Sequence, residues 1–146
     1  MLTEPDVLNQ PPPLAGYNLF LENRPLAEAL AREGADWAHE QASALGELLS
    51  GDPQEWGRLA NESPPRLRTH DRFGNRIDEV EFHPAWHSLL GTSVAHGLHA
   101  LSWRERRAGA HVARAALFAL TAQVEAGHTC PVSMTHAAVP ALRAQP

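Results

Sequence analysis

Several residues of this chain have types and spacings that could do chemistry, and the first are histidines. His83 and His87 stand four apart in Phe82-His83-Pro84-Ala85-Trp86-His87, the separation at which two imidazoles one helical turn apart can ligate zinc. Pro84 argues against that geometry. A residue before proline is pushed toward extended backbone, while proline itself favours the first helical position, so His83 is expected just outside the helix that carries Trp86 and His87. The remaining histidines match no paired-cysteine pattern and no two-histidine helix with an intervening glutamate, so no metal site is expected. His96 and His99, three apart among apolar neighbours, read as packing histidines that donate hydrogen bonds inside the core.

Cys130 is the single cysteine. Placed just before a helix suggested by Pro131, it could be activated by backbone N–H groups as a nucleophile. His128, two residues away, lacks a third group to orient it, and a buried, inert thiol is the preferred reading. Arg66, Arg68, Arg72 and Arg76 could meet phosphates, but Asp71, Asp78, Glu79 and Glu81 dilute that charge and favour a solvated, salt-bridged ribbon. Arg114, Phe118, Thr121 and Glu125 follow one another at steps of four, three and four, which puts them on one stripe of an otherwise apolar helix. Such a stripe needs partners: an internal ion-paired face is preferred, with an adjoining domain or a ligand cavity left open. There is no glycine-rich phosphate loop, no nucleophile elbow and no isolated pair of carboxylates, so no catalytic or cofactor-binding residue is assigned.

The elements that must position these residues are mostly helical. Residues 1–22 read as an extended arm, with Pro11-Pro12-Pro13 favouring polyproline II and Tyr17, Leu19 and Phe20 as docking anchors. Residues 23–146 read as a helical domain whose C-terminal end looks truncated, because Arg143 to Pro146 offers no closing cap. Asn23 and Pro25 begin a helix that Gly34 stops; a second spans Asp36 to Leu49, closed by Gly51; Asp52-Pro53-Gln54-Glu55 resembles a capping box for a third, reaching about Asn61. The period then changes. Residues of about 66–82 predict a β-hairpin turning at Gly74, with Leu67, Thr69, Ile77, Val80 and Phe82 at its apolar or β-branched positions, packed on helices or on another chain. From Pro84 to about Trp103 a helical region, bent near Gly91 and Gly97, turns His87, Leu90, Val94, Leu98 and Leu101 inward. A buried helix over Ala110 to Ala126, stopped by Gly127, and a last one from Pro131 to Leu142 interrupted at Pro140 complete the set.

Composition sets the outer limits. A chain of 146 residues suits one domain with a real core, and one cysteine excludes an internal disulfide framework. The acidic, proline-rich start lacks the basic and apolar regions of a secretory signal, and the run Ala115 to Ala122 is far short of the ~20 residues that span a bilayer, so a cytoplasmic protein without membrane contact is expected. Net charge is −5 and every basic residue is arginine, which implies no general polyanion-binding surface.

Together, Asn9-Gln10-Pro11-Pro12-Pro13-Leu14, Arg32-Glu33-Gly34-Ala35, Gly57-Arg58-Leu59-Ala60-Asn61, Phe82-His83-Pro84-Ala85-Trp86-His87, Val112-Ala113-Arg114-Ala115-Ala116, Gln123-Val124-Glu125-Ala126-Gly127, Cys130-Pro131 and Met134-Thr135 carry a resemblance covering nearly the whole chain. It resembles the N-terminal segment of the acyl-CoA dehydrogenase superfamily, in its alkylation adaptive-response branch, the AidB-like flavoproteins. The resemblance implies a mainly α fold: the helical N-terminal domain of the acyl-CoA dehydrogenase type, with one small hairpin and a proline-rich arm.

In that family a middle β-domain and a C-terminal four-helix domain join the helical domain to enclose FAD. The resemblance therefore implies FAD in the full-length protein and none for this segment alone, whose flavin-binding stretches and catalytic carboxylate lie downstream. It implies as partners the downstream domains and further copies in a homo-tetramer, with DNA bound only through the C-terminal domain. In related dehydrogenases the helix matching Ala110 to Ala126 lines part of the acyl cavity, which makes Thr121 and Glu125 the residues expected to face it. The segment alone is expected to be inactive as an oxidoreductase. The alternative is a stand-alone helical interaction module without catalysis, using its arginine-rich hairpin or its proline arm on a partner.

Overall fold

The structure, a computed structural model, describes residues 9, 11 and 14–145. Pro12, Pro13 and the first eight residues, on which most of the polyproline expectation falls, lie outside the described residues. Between residues 14 and 22 the chain bends through turns organised by Asn18. Its Oδ1 accepts from the Phe20 and Leu21 amides at 3.0 and 3.1 Å, and its Nδ2 donates to Ser43 O at 3.0 Å. Leu19 and Phe20 are thereby carried into the core.

Asn23 caps the first helix as its residue type requires: its side chain accepts from Leu26 N, and α1 runs Arg24–Arg32 with Pro25 in the first turn. A single 3₁₀ turn, Asp36–Ala38, leads into α2, His39–Leu49, and α3 follows as Asp52–Glu62. Asp52 sits inside α3 rather than at its cap, and no side chain caps that end. The expected capping box is absent because Glu55, instead of reaching back, pairs with Arg58 at 2.5 Å.

Strands β1, Arg66–His70, and β2, Arg76–Glu81, form an antiparallel pair. The pairing runs Arg68 to Glu79 and then His70 to Arg76, so one residue of β1 faces two of β2, and Asp78 takes a φ of 48°. That bulge brings Ile77 and Val80, of opposite parity in a regular strand, toward one face. Gly74 makes the turn with a φ of 87°, and Gly74 N donates to Asp71 O at 3.2 Å. The ribbon does not bury its apolar face on the helices: Leu67 and Val80, directly paired, are 64% and 53% exposed.

Helix α4, Pro84–Ala95, corrects part of the expected inward set: Leu98 is buried and Leu90 and Leu101 pack against the core, but His87 and Val94 do not turn inward. Ala85, Leu89 and Ser93 are its buried residues, while His87 is exposed and Val94 is 47% exposed. The periodic pattern was satisfied equally by two neighbouring faces, and packing chose the one with small side chains, which lets α3 and α7 approach closely. A short α5, Leu101–Arg104, connects to α6, Ala110–Val124, and α7 follows as Thr129–Arg143 with Pro140 inside it.

Helix α6 runs through the centre. Ala113, Ala116, Leu117 and Leu120 pack with Phe20, Leu30, Leu45, Leu49, Leu98 and Val132 into one core. Each fully buried leucine there contributes roughly 1.5–3 kcal/mol relative to exposure. No helix among the described residues is long and apolar enough to cross a membrane.

Candidate functional site

The end of α6 departs from the expected helix. The last helical residue is Val124, and Glu125 turns extended, with φ −159° and ψ 130°. Its side chain therefore folds back against the following loop instead of continuing the stripe. Glu125 Oε1 accepts from Gly127 N at 2.5 Å, and Oε2 accepts from both His128 N, at 2.8 Å, and the His128 ring Nδ1, at 2.7 Å. A Cβ on residue 127 would lie 2.7 Å from Oε1, so a larger residue there would push the end of the Glu125 side chain aside.

Burial pushes the Glu125 carboxyl up, but the hydrogen bonds from the His128 backbone and ring and the Gly127 backbone outweigh it and hold the carboxyl below its ordinary value. With the carboxylate accepting at Nδ1, that nitrogen carries the proton, and His128 Nε2 meets Ser93 Oγ at 3.0 Å. Serine, histidine and carboxylate thus stand in the order of a hydrolytic triad. Ser93 and His128 are 1% and 0% exposed, so no substrate reaches the hydroxyl, and the chain of hydrogen bonds serves to pin α4 to the α6–α7 loop.

Glu125 also lines an open groove of about 520 Å³ between the end of α3, the start of α4 and the α6–α7 loop, together with Ala60, Asn61, Pro64, Pro65, Phe82, Trp86, Gly127 and Pro131. Phe82 and Trp86 stack at 4.1 Å. The volume lies in the range of small-molecule sites, and no arginine or histidine is among the lining residues. A smaller polar pocket of about 280 Å³ adjoins it across Pro64 and Phe82, lined also by Glu62, Arg66, Glu81 and His83.

Thr121, the other residue expected at a cavity, is 1% exposed and its hydroxyl donates to Leu117 O at 2.9 Å. It does not line the groove. Arg114 Nε donates to Leu98 O at 2.9 Å and its guanidinium lies 4.4 Å from the Phe118 ring, so the first part of the stripe is satisfied internally. Arg114 Nη2 has no partner among the described residues. His83 takes the N-cap of α4, where its Nδ1 accepts from Ala85 N at 3.2 Å. His96 sits at the C-cap of α4, and burial pushes its pKa down; His99 Nδ1 is buried without a partner, so the expected core hydrogen bond is not made. Cys130 lies within the first turn of α7 and is exposed, which corrects the buried reading. Two hairpin arginines are paired, Arg76 with Asp78 at 2.6 Å and Arg68 with Glu81 at 3.9 Å, and Arg72 stacks on Phe73.

Residues 9–146 match the sequence pattern of the family described as the adaptive response protein AidB N-terminal domain. The chain belongs to the AidB N-terminal domain family. This AidB N-terminal domain is 49% identical over 138 residues to the AidB protein of Escherichia coli K12, which carries acyl-CoA dehydrogenase in its name; the match covers 93% of this chain and 26% of that protein. A second relative, acyl-CoA dehydrogenase family member 11 of Caenorhabditis elegans, is 28% identical over 105 residues, covering 68% of this chain and 16% of its own.

Among solved structures, the apo form of Bd2924 superposes with a TM-score of 0.80 at 27% identity, over 88% of this chain and 27% of that one. Caenorhabditis elegans ACDH-11 in complex with C11-CoA gives 0.81 at 21% identity, over 99% and 25%. The chain thus spans about a quarter or less of each of these proteins, and its fold is that of their helical N-terminal portion.

Sequence reasoning weighed His128 only as a base for Cys130 and found no group to orient it; Glu125 is that group, and Ser93 was missed altogether. The Glu125–His128 spacing of three was visible and could have suggested the pair; Ser93, 35 residues away, had no local signal.

Proposed function

We propose that this chain is the N-terminal helical wall of an AidB-like flavoprotein of the acyl-CoA dehydrogenase family, in which it closes one side of a ligand cavity completed by the rest of the protein. The observation that carries this reading is the half-open groove against which Glu125 is held by two backbone amides and an imidazole. A groove of this size with one side open is what a segment contributes when other parts supply the remaining walls. The C11-CoA bound by ACDH-11 suggests an acyl thioester as the ligand class, with Glu125 at the cavity wall and Thr121 behind it, fixing the last turn of α6.

In this reading residues 1–22 are the arm and 23–146 the helical domain. The whole protein carries FAD, works in the cytoplasm as a homo-tetramer in the adaptive response to DNA alkylation, and meets DNA through its C-terminal part. The residues of this segment do not themselves suit FAD. No cationic side chain lines the groove to meet a pyrophosphate, and no glycine-rich loop opens a helix beside it. The chain's contribution is a wall and a fixed carboxylate, and the segment alone is inactive as an oxidoreductase.

A chimera tests the proposal: residues 9–146 replace the matching segment of Escherichia coli AidB. It should assemble, purify yellow, and show a flavin spectrum perturbed by an acyl-CoA, with Glu125→Leu altering that perturbation. A colourless chimera, or a Glu125→Leu chimera that loses only stability and binds as before, would overturn it.

A further inference from the structure

Away from the groove, two histidines and two arginines gather around Trp103. His136 of α7 stacks on the Trp103 ring at 4.8 Å, His111 of α6 meets its edge at 4.9 Å, and the Arg143 guanidinium lies 5.9 Å from its centre. The two imidazoles stand 6.0 Å apart. Arg114, three residues after His111, shares its face of α6. Burial, and then the charges of Arg114 and His111, push the His136 pKa down. None of these four side chains is in an ion pair among the described residues, and Arg114 Nη2 is buried without a partner. In a chain of net charge −5 this corner reverses the sign locally, and its arginines lack a counter-ion.

Two hydrogen bonds hold the corner together. Trp103 Nε1 donates to His136 O at 2.9 Å, which ties α5 to α7, and Ser102 Oγ meets His136 Nε2 at 2.7 Å. If the hydroxyl donates, the ring proton is on Nδ1; if Nε2 donates, the hydroxyl proton is free. In either arrangement the pair keeps a donor for an acceptor outside it. Trp103, Arg114 and His136 are half-buried while His111 and Arg143 are exposed, so the corner is open to solvent.

We propose that this corner binds a single phosphate group, as the free ion or as a monoester, among His111, Arg114, His136 and Arg143, with Ser102 and Trp103 holding His136 in place. Two arginine charges match a dianion at neutral pH, and the histidines add to them in acid. Without a glycine-rich loop the corner suits one phosphate rather than the pair of a dinucleotide. About 15 Å of α6 separates Arg114 from Val124, after which Glu125 enters the groove, so the site stands whatever fills that groove.

The test uses the 146-residue chain, isotopically labelled, titrated at constant ionic strength with sulfate, a dianion that does not titrate in the range used, and with acetate. Sulfate should saturably shift the Trp103 indole N–H and the His111 and His136 ring signals, and bind about tenfold more tightly than acetate at neutral pH. Binding should tighten about tenfold from about pH 7.5 to about pH 5.5, as His111 and His136 take up protons. Arg143→Gln, at an exposed position, should weaken sulfate binding about threefold, and His111→Ala should flatten the pH dependence. Inorganic phosphate binding more tightly than glycerol phosphate assigns the free ion, and the reverse assigns a monoester; either result supports the site. Acetate as tight as sulfate, affinity that does not change with pH, or shifts that follow the hairpin arginines instead of Trp103 overturn it. So does the lack of saturable binding.

Discussion

The ring Nδ1 of His128 donates to Glu125 Oε2 at 2.7 Å across a loop that begins only after α6 has ended. The stripe expected along one helix is in fact two arrangements. Arg114, Phe118 and Thr121 are settled within the helix and its neighbours, while Glu125 is settled by the turn that follows. Because His128 in turn meets Ser93 on α4, the loop, α4 and the end of α6 share one hydrogen-bonded chain.

That chain makes stability depend on acid. The Glu125 carboxyl is held below its ordinary value of 4.5 in the folded chain. Its contribution to stability is therefore fully present above about pH 4.5 and is lost as pH falls through the lower folded value. Urea midpoints measured from neutral pH downward should fall on the acid side, and Glu125→Gln should flatten that fall while lowering the plateau by about 1–3 kcal/mol. An unchanged acid slope in the variant would contradict the assignment.

Gly57 sets how closely α3 approaches the end of α6. A Cβ there would lie 2.6 Å from Val124 O, a backbone atom that cannot swing aside. Gly57→Ala should cost about 1–3 kcal/mol through forced separation, even though alanine favours helix more than glycine does. A variant as stable as the parent in urea would show that α3 shifts freely.

Cys130 is exposed in the first turn of α7. Ellman's reagent should react with one thiol per chain without denaturant, and adding urea should raise the rate only modestly. A thiol that reacts only after unfolding would restore the buried reading.

Leu67 and Val80 face each other across the ribbon and remain in solvent. Replacing both with serine should leave the unfolding free energy measured in urea within about 0.5 kcal/mol, since little burial is lost. The same change should reduce binding of a hydrophobic dye and self-association in sedimentation. A large loss of stability would mean that the pair is covered in solution.

Much of the architecture was legible in local chemistry. Asn23 and Pro25 declared α1, Gly74 declared the turn, and the apolar run from Val112 to Leu120 declared the central helix. The errors arose where long-range packing chose between local options of similar worth. The face of α4 could be read from His87 and Val94 or from Ala85, Leu89 and Ser93, and the close approach of neighbouring helices favoured the small residues. Asp52 and Glu55 formed a plausible box until Arg58 offered Glu55 a partner one turn on. Glu125 was singled out on its helix, but its geometry depends on His128 and on the Gly127 amide in the loop that follows, and the Ser93 contact spans two elements that no local pattern links.

The ribbon's strands find their main partner in each other, and every residue of β1 is exposed. A two-stranded unit with so little tertiary support opens and closes independently of the helices. In native-state hydrogen exchange its amides should therefore lose protection long before those of α6, even while the helical body stays folded. Proteolysis should begin in the same place, around Arg72, making the ribbon the part of this chain whose order is set most by whatever stands next to it.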